Sequence, residues 1–163
     1  TCWSAGCSIG CGPSSLAMML SEIDPTGAHS IVATDVDVPI LNRAREGKGY
    51  LASAIRSVPV PLAKKYFVEE PGGTYRVADE LKRRITFRRQ DLLSDPYPQD
   101  LDVILCRNVV IYFTDEAKTH IYNGFAKALR PGGLLFIGGS EMIMRSSDIG
   151  FRSAGTNLYL RAA

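Results

Sequence analysis

The residues best suited to hold a ligand begin with a glycine-rich stretch near the start of the chain. Gly6, Gly10 and Gly12 follow a short apolar run, and Pro13 suits the first turn of a helix, where its missing N–H costs nothing. Glycine permits positive φ angles and close approach of a ligand to the backbone. A strand, a glycine turn and a helix open nucleotide-binding α/β sheets, but such turns also close ordinary βα units. Both alternatives stay open on this stretch alone.

Polar residues also follow two of the predicted strands. Asp35 ends the second apolar run, about 20–25 residues beyond the glycines, where Rossmann-like proteins bind ribose hydroxyls. Asp37 is predicted to cap the next helix instead. Arg107 and Asn108 follow the near-continuous apolar run 101–106, which is typical of a central parallel strand. Because open α/β sheets bind ligands at the carboxyl ends of their strands, these residues are candidate ligand contacts.

The elements that must position these residues alternate along the chain. Leu16, Met19, Leu20 and Ile23 are spaced as one apolar face of a first helix. Further helices are predicted at 38–45 and 114–129, strands at 29–34, 85–88 and 134–138, and a closing antiparallel pair at 151–152 and 157–161. The alternation breaks between residues 48 and 87, where Pro71, Gly72 and Gly73 predict a hairpin turn. We therefore predict one domain, 1–163, with a small antiparallel β insertion at 48–87.

Composition excludes several classes of protein. The chain has 163 residues, a net charge of +2 and no apolar stretch long enough to span a membrane, so neither nucleic-acid binding nor membrane insertion is expected. Its four cysteines do not form a disulfide framework, which favours a reduced cytoplasmic setting. The chain has no signal-peptide pattern and does not begin with Met, and we expect a further segment upstream.

Several separate motifs, in this order along nearly the whole chain, resemble those of class I S-adenosylmethionine-dependent methyltransferases. Within that class the chain resembles the CheR family, the chemotaxis receptor protein-glutamate O-methyltransferases. The matching stretches are residues 3–8, 33–37, 106–109 with 111–113, 129–133 and 139–141. The resemblance implies a Rossmann-like sheet that is mostly parallel with an antiparallel last strand. It also implies methyl transfer from S-adenosylmethionine to a glutamate carboxylate of a receptor protein.

The resemblance also implies which residues form the site. The implied cofactor-binding residues are Ala5, Gly6, Ser8, Gly10, Asp35, Asp91, Leu92 and Asn108. Asp35 would bind the ribose, the loop from Gly6 to Gly10 would pass beneath the methionine portion, and Asp91 and Leu92 would lie at the adenine. Tyr112 and Arg107 would act on the acceptor carboxylate, with a packed aromatic and a structural ion pair as their alternatives. No metal is implied.

The chain departs from the family at the first loop and upstream of it. The family commonly has two glutamates where this chain has Cys11 and Gly12, so a carboxylate partner for the cofactor's amino group is missing. The family's upstream helical domain, with an arginine that reaches the cofactor, is not matched either. We therefore expect weak cofactor binding and poor activity. The alternative is a degenerate methyltransferase-fold module that binds a nucleoside ligand or a partner protein without catalysis.

Two further alternatives come from other classes of protein. Residues 6–10 fit G-x-S-x-G, the nucleophile elbow of α/β-hydrolases, with Ser8 as the nucleophile. That fold needs a later acid and then a histidine, and the chain offers only His29 and His120. The other alternative is metal binding by cysteines 2, 7 and 11, although their spacing matches no standard zinc pattern.

Overall fold

The computed structural model describes all 163 residues, which form nine strands and six α-helices. The strands are β1 (Cys2–Ala5), β2 (Ile31–Asp35), β3 (Phe67–Glu70), β4 (Thr74–Val77), β5 (Ile85–Arg89), β6 (Leu101–Cys106), β7 (Leu129–Ile137), β8 (Phe151–Gly155) and β9 (Leu158–Arg161). The helices are α1 (Cys11–Ile23), α2 (Val38–Glu46), α3 (Ala52–Ile55), α4 (Val60–Tyr66), α5 (Asp79–Lys82) and α6 (Asp115–Ala128). Two 3₁₀ turns cover Val110–Tyr112 and Ser146–Ile149. None of the helices has the length and apolar character needed to cross a membrane.

The chain divides into two compact units. The first consists of Thr1–Gly6 and Gln90–Ala163, and the second of Cys7–Arg89. The first unit contains β1, β6 to β9 and α6, and the second contains β2 to β5 and α1 to α5. The single domain predicted from the sequence, with an insertion at 48–87, stays a prediction.

The strands of the first unit are ordered β1-β6-β7-β9-β8. β1 pairs in parallel with β6, with Trp3 opposite Ile104, and β6 pairs in parallel with β7. β9 runs antiparallel to both β7 and β8. Residues 101–106 thus form a central parallel strand, as predicted, and the predicted antiparallel pair at the end of the chain is confirmed.

The core of the first unit is built around an aromatic cluster. The Trp3 side chain is fully buried, and its ring meets those of Tyr97 and Phe125 edge-on at centroid distances of 4.9 and 5.3 Å. Phe125 comes from the inner face of α6, which the spacing of its apolar residues predicts. Thr114 caps this helix by accepting a hydrogen bond from the Ala117 N–H. Burial of these aromatic surfaces fixes β1 and α6 in the same unit.

The second unit pairs β2 in parallel with β5, so that Asp35 lies opposite Arg89 at the carboxyl ends of both strands. The predicted hairpin is present as the antiparallel pair β3 and β4. Helix α2 begins as predicted, because Asp37 Oδ1 accepts a hydrogen bond of 3.1 Å from the Ile40 N–H. Gly47 ends it in the left-handed region, at φ 62°.

Helix α1 buries a different face from the one that the spacing of its apolar residues predicts. It begins at Cys11, and its buried residues are Pro13, Ser14, Ala17, Met18 and Ser21. On the apolar face formed by residues 16, 19, 20 and 23, Met19 is 57% exposed and Ile23 is 76% exposed. Small residues allow close packing of this helix, and the buried Ser21 hydroxyl is satisfied by the Ala17 carbonyl at 2.8 Å.

Candidate functional site

In the first unit, the turn after β1 requires glycine for two reasons. Ala5 is buried, and Gly6 follows with φ +66°, a conformation that L side chains rarely adopt. A Cβ on Gly6 would also overlap Cγ2 of Val109, which follows β6. The Val109 side chain therefore lies directly against this glycine, whose contact with a cofactor stays a prediction. This contact fixes the end of β1 against the segment that carries Asn108.

In the second unit, backbone and carboxylate groups hold the rest of the glycine turn. The Cys7 N–H donates to the Thr34 carbonyl at 2.8 Å, and the Ser8 N–H donates to Asp35 Oδ2 at 2.9 Å. Ser8 has φ +50°, and Gly10 has φ +94° as the residue that precedes α1. Of the predicted cofactor residues, Ser8 and Asp35 are thus brought together directly.

The Asp35 carboxylate has the orientation and the spare acceptor capacity that a ribose diol needs. Its Oδ2 accepts the Ser8 N–H, and its Oδ1 accepts the Asp37 N–H at 3.0 Å. An ionised carboxylate has about four acceptor positions, so each oxygen can accept one more hydrogen bond. Because Asp35 is only half-buried at the end of β2, these positions suit two neighbouring hydroxyls. This residue therefore fits the ribose of a nucleoside cofactor.

Replacing Asp35 with alanine is expected to weaken cofactor binding by about tenfold or more, since a hydrogen bond to a charged acceptor contributes roughly 1.5–3 kcal/mol. Calorimetric titration with S-adenosylhomocysteine measures the change. Asp35→Asn is the matched control, because it keeps the size of the side chain and removes one acceptor oxygen, and it should give an intermediate Kd. An unchanged Kd for Asp35→Ala would remove this residue from the site.

The residues predicted to lie at the adenine, Asp91 and Leu92, belong to the first unit. They form a turn that is held by several hydrogen bonds. The Asp91 N–H donates to Asp95 Oδ2 at 2.7 Å, and Asp91 Oδ1 accepts the Leu93 N–H at 2.9 Å. Leu92 is buried, and its carbonyl accepts the Tyr97 hydroxyl at 2.6 Å. Their contact with a cofactor stays a prediction, but the turn that carries them is well defined.

The two predicted catalytic residues follow β6 and differ in their surroundings. The Arg107 guanidinium lies over the Phe136 ring, 5.1 Å from its centroid. Such a cation–π contact orients the guanidinium and leaves its charge in place. Tyr112 ends a 3₁₀ turn and is 84% exposed, so the alternative of a packed aromatic is wrong for this residue. Its hydroxyl is open to a second molecule.

Sequence reasoning assigned no role to Glu141, although it lies in a stretch that matched the family. The structure shows it 7% exposed, with its carboxylate accepting hydrogen bonds from backbone N–H groups of residues 108–110 and 138. The signal was an acidic residue shortly after an apolar strand, separated from it by two glycines and a serine. A charged side chain at such a position needs donors, and the nearest donors are backbone groups at strand ends.

The cysteines do not form the metal site that one of the alternatives requires. All four cysteines are free, and burial next to Asp35 raises the pKa of the Cys7 thiol to about 12. No group of three or more His, Cys, Asp or Glu side chains is arranged to hold a metal ion. His29, a candidate partner for a Ser8 nucleophile, has its Nε2 3.0 Å from the Asp24 carbonyl.

Comparison with known proteins gives a consistent result. Residues 1–160 match the family described as CheR methyltransferase, SAM binding domain. The chemotaxis protein methyltransferase of Listeria innocua is 42% identical over 159 residues, which are 98% of this chain and 60% of that protein. Chemotaxis protein methyltransferase 2 of Pseudomonas aeruginosa is 37% identical over 166 residues, covering 96% of this chain and 58% of that protein. The chain thus spans about 60% of the length of these curated relatives.

Solved structures agree on the fold. A TehB-like SAM-dependent methyltransferase from Corynebacterium glutamicum has a TM-score of 0.54 at 14% identity, covering 98% of this chain and 76% of that one. The [4+2]-cyclase SpnF has a TM-score of 0.52 at 17% identity, covering 99% of this chain and 46% of that one. A cyclase on the same fold shows that the architecture alone does not define the reaction.

The fold and the match together define the class, a Rossmann-like domain of S-adenosylmethionine-dependent methyltransferases. Within that class the chain belongs to the CheR methyltransferase family, of which it is the SAM-binding domain. The fold and the family resemblance predicted from the sequence are therefore confirmed, and the cofactor of this domain family is S-adenosylmethionine. The individual site residues stay predictions.

Proposed function

We propose that this chain is the cofactor-binding part of an enzyme that methylates the side-chain carboxylate of a glutamate in a chemotaxis receptor. The match of residues 1–160 to the SAM-binding domain of CheR methyltransferases carries this proposal. The orientation of the Asp35 carboxylate for a ribose diol supports it. The free cysteines and the family support a cytoplasmic location, and the small net charge gives no support to a nucleic-acid partner.

The chemistry demands alignment more than proton transfer. When bound, S-adenosylmethionine supplies a methyl group on a sulfonium centre, which an ionised carboxylate can accept without a general base. Asp35 would bind and orient the ribose, and the turn from Gly6 to Gly10 and the Asn108 side chain are proposed as further contacts with the cofactor. Alignment of the two reactants and partial exclusion of water then contribute most of the rate acceleration.

Arg107 and Tyr112 are proposed to act on the acceptor glutamate. Both are exposed residues after β6, the end of the sheet at which α/β proteins bind ligands. The Arg107 guanidinium, oriented by Phe136, attracts the acceptor carboxylate. The Tyr112 hydroxyl donates a hydrogen bond that orients the attacking oxygen.

The Tyr112→Phe variant should therefore bind cofactor with nearly the same Kd and transfer methyl groups more slowly, by roughly tenfold or more for one hydrogen bond to a charged acceptor. Single-turnover transfer of a radiolabelled methyl group to a receptor-derived glutamate peptide, with the full-length protein, measures the rate. Equal rates in both proteins would show that the hydroxyl has no role in transfer. A large change in the cofactor Kd would place Tyr112 in the cofactor site instead.

Calorimetric titration of the chain with S-adenosylmethionine and S-adenosylhomocysteine tests the proposed function as a whole. Binding of both, followed by base-labile methylation of a glutamate peptide by the full-length protein, would support it. Base lability distinguishes a methyl ester from methylation at nitrogen. Absence of binding to either compound would overturn the assignment of a cofactor site to this chain.

One observation favours the second candidate, a module that binds without catalysis. The first turn of α1 contains no acidic residue, so the carboxylates that the family commonly places there are missing. Cofactor binding by the full-length protein with no transfer to any glutamate peptide, even at saturating cofactor, would favour this candidate. Measurable transfer would reject it.

A further inference from the structure

In the first unit, the backbone segment after β6 donates hydrogen bonds to one buried carboxylate, that of Glu141. Glu141 Oε1 accepts the Val109 and Val110 N–H groups at 3.1 and 2.9 Å. Its Oε2 accepts the Asn108 and Gly138 N–H groups at 3.1 and 2.6 Å. Four charge-assisted hydrogen bonds compensate the cost of burying this side chain. Three of the four donors are consecutive, so the segment surrounds the carboxylate as an anion-binding nest.

This nest holds the backbone at Asn108 in the left-handed region. Asn108 has φ +59°, which is uncommon for residues other than glycine. Gly138 closes the other side, where a Cβ would lie 2.7 Å from both the Asn108 nitrogen and Glu141 Oε2. Only glycine fits there without a shift of the backbone. The carboxylate and Gly138 together therefore determine where the Asn108 side chain lies.

We infer that Glu141 is a positioning residue of the cofactor site, which acts by fixing the left-handed Asn108 and the turn that leads to Tyr112. The inference rests on the proposed function, in which Asn108 contacts the cofactor. Because Glu141 already accepts the N–H groups of residues 108–110, Asn108 must use its side chain or its carbonyl for that contact. Loss of the Glu141 carboxylate would leave four buried or half-buried N–H groups without their acceptor, three of them in the segment 108–110, which would rearrange to satisfy them.

The Glu141→Gln variant tests this with little change in volume. Glutamine keeps one acceptor oxygen, but its NH₂ group would face two N–H donors. We expect backbone amides 108–110 to exchange with solvent deuterium at least tenfold faster than in the unaltered chain. We also expect the Kd for S-adenosylhomocysteine, titrated below the unfolding temperature, to rise about tenfold. Glu141→Asp keeps two acceptor oxygens on a shorter side chain. Its amide exchange rates and its Kd should lie between those of the unaltered chain and of Glu141→Gln.

If Glu141 had only a structural role, Glu141→Gln would raise the amide exchange rates and leave the Kd of the folded protein unchanged. That result, or unchanged exchange, would overturn the inference while the proposed function stands. Failure of the unaltered chain to bind cofactor would overturn both. If Glu141→Gln does not fold, the inference is tested by hydrogen exchange of the unaltered chain. Its amides 108–110 should be protected at least tenfold relative to an unstructured peptide and protected further by S-adenosylhomocysteine, and absence of either protection would overturn the inference.

Discussion

Replacing Trp3 with alanine is expected to lower the free energy of unfolding by about 3–5 kcal/mol, the usual cost of removing a buried tryptophan. The Trp3 ring is fully buried between those of Tyr97 and Phe125, with centroids 4.9 and 5.3 Å away. The variant would leave a cavity between β1 and α6 and remove two edge-to-face aromatic contacts. Because domains of this size are stable by only about 5–15 kcal/mol, much of the protein's stability would be lost.

Urea denaturation followed by circular dichroism measures this change. Fluorescence is unsuitable, because Trp3 is the single tryptophan of the chain. Trp3→Phe retains an aromatic ring in the same space and should be markedly less destabilising. Leu51→Ala, at a residue that is 64% exposed, provides a baseline for truncation of an apolar side chain at the surface. If Trp3→Ala cost no more than this baseline, the aromatic cluster would not be a main source of stability.

The strand pairing could be predicted because its causes are local and repeated. Near-continuous apolar runs such as 101–106 are typical of central parallel strands, and β6 does pair in parallel with one strand on each side. The caps at Asp37 and Thr114 were predictable for the same reason, since each depends on a side chain and an N–H group three residues away.

The buried face of α1 could not be read from its apolar residues. The pattern counts large hydrophobic side chains, and residues 16, 19, 20 and 23 satisfy it. The buried positions are instead residues 13, 14, 17, 18 and 21, most of them small. Small side chains let a helix pack closely, and this tertiary demand outweighs the local pattern. The role of Glu141 could not be predicted from the sequence either, because its four hydrogen-bond donors come from two separate segments of the chain.

Replacing Cys11 with glutamate is expected to tighten S-adenosylmethionine binding by roughly tenfold to a hundredfold. Cys11 is exposed and is the first residue of α1, directly after Gly10. A carboxylate there would be favoured by the positive end of the helix dipole, because the first turn contains no acidic residue. In the proposed cofactor site it would also pair with the ammonium of the methionine portion. A charge-assisted bond of this kind contributes about 1.5–3 kcal/mol, which is the origin of the expected range.

Cys11→Gln separates the charge from the other effects of the substitution, because it has nearly the same size as Cys11→Glu and no charge. Calorimetric titration of both variants should show a gain only for glutamate, and that gain should shrink as the salt concentration rises. Gly12→Glu tests the neighbouring position. It should also stabilise α1 by about 0.5–1 kcal/mol, because helical glycine is unfavourable. If neither glutamate tightens binding, or if the unaltered chain already binds tightly, then the ammonium is held by groups other than a carboxylate in this turn. Backbone carbonyls of the glycine turn would then be the remaining acceptors in that part of the chain.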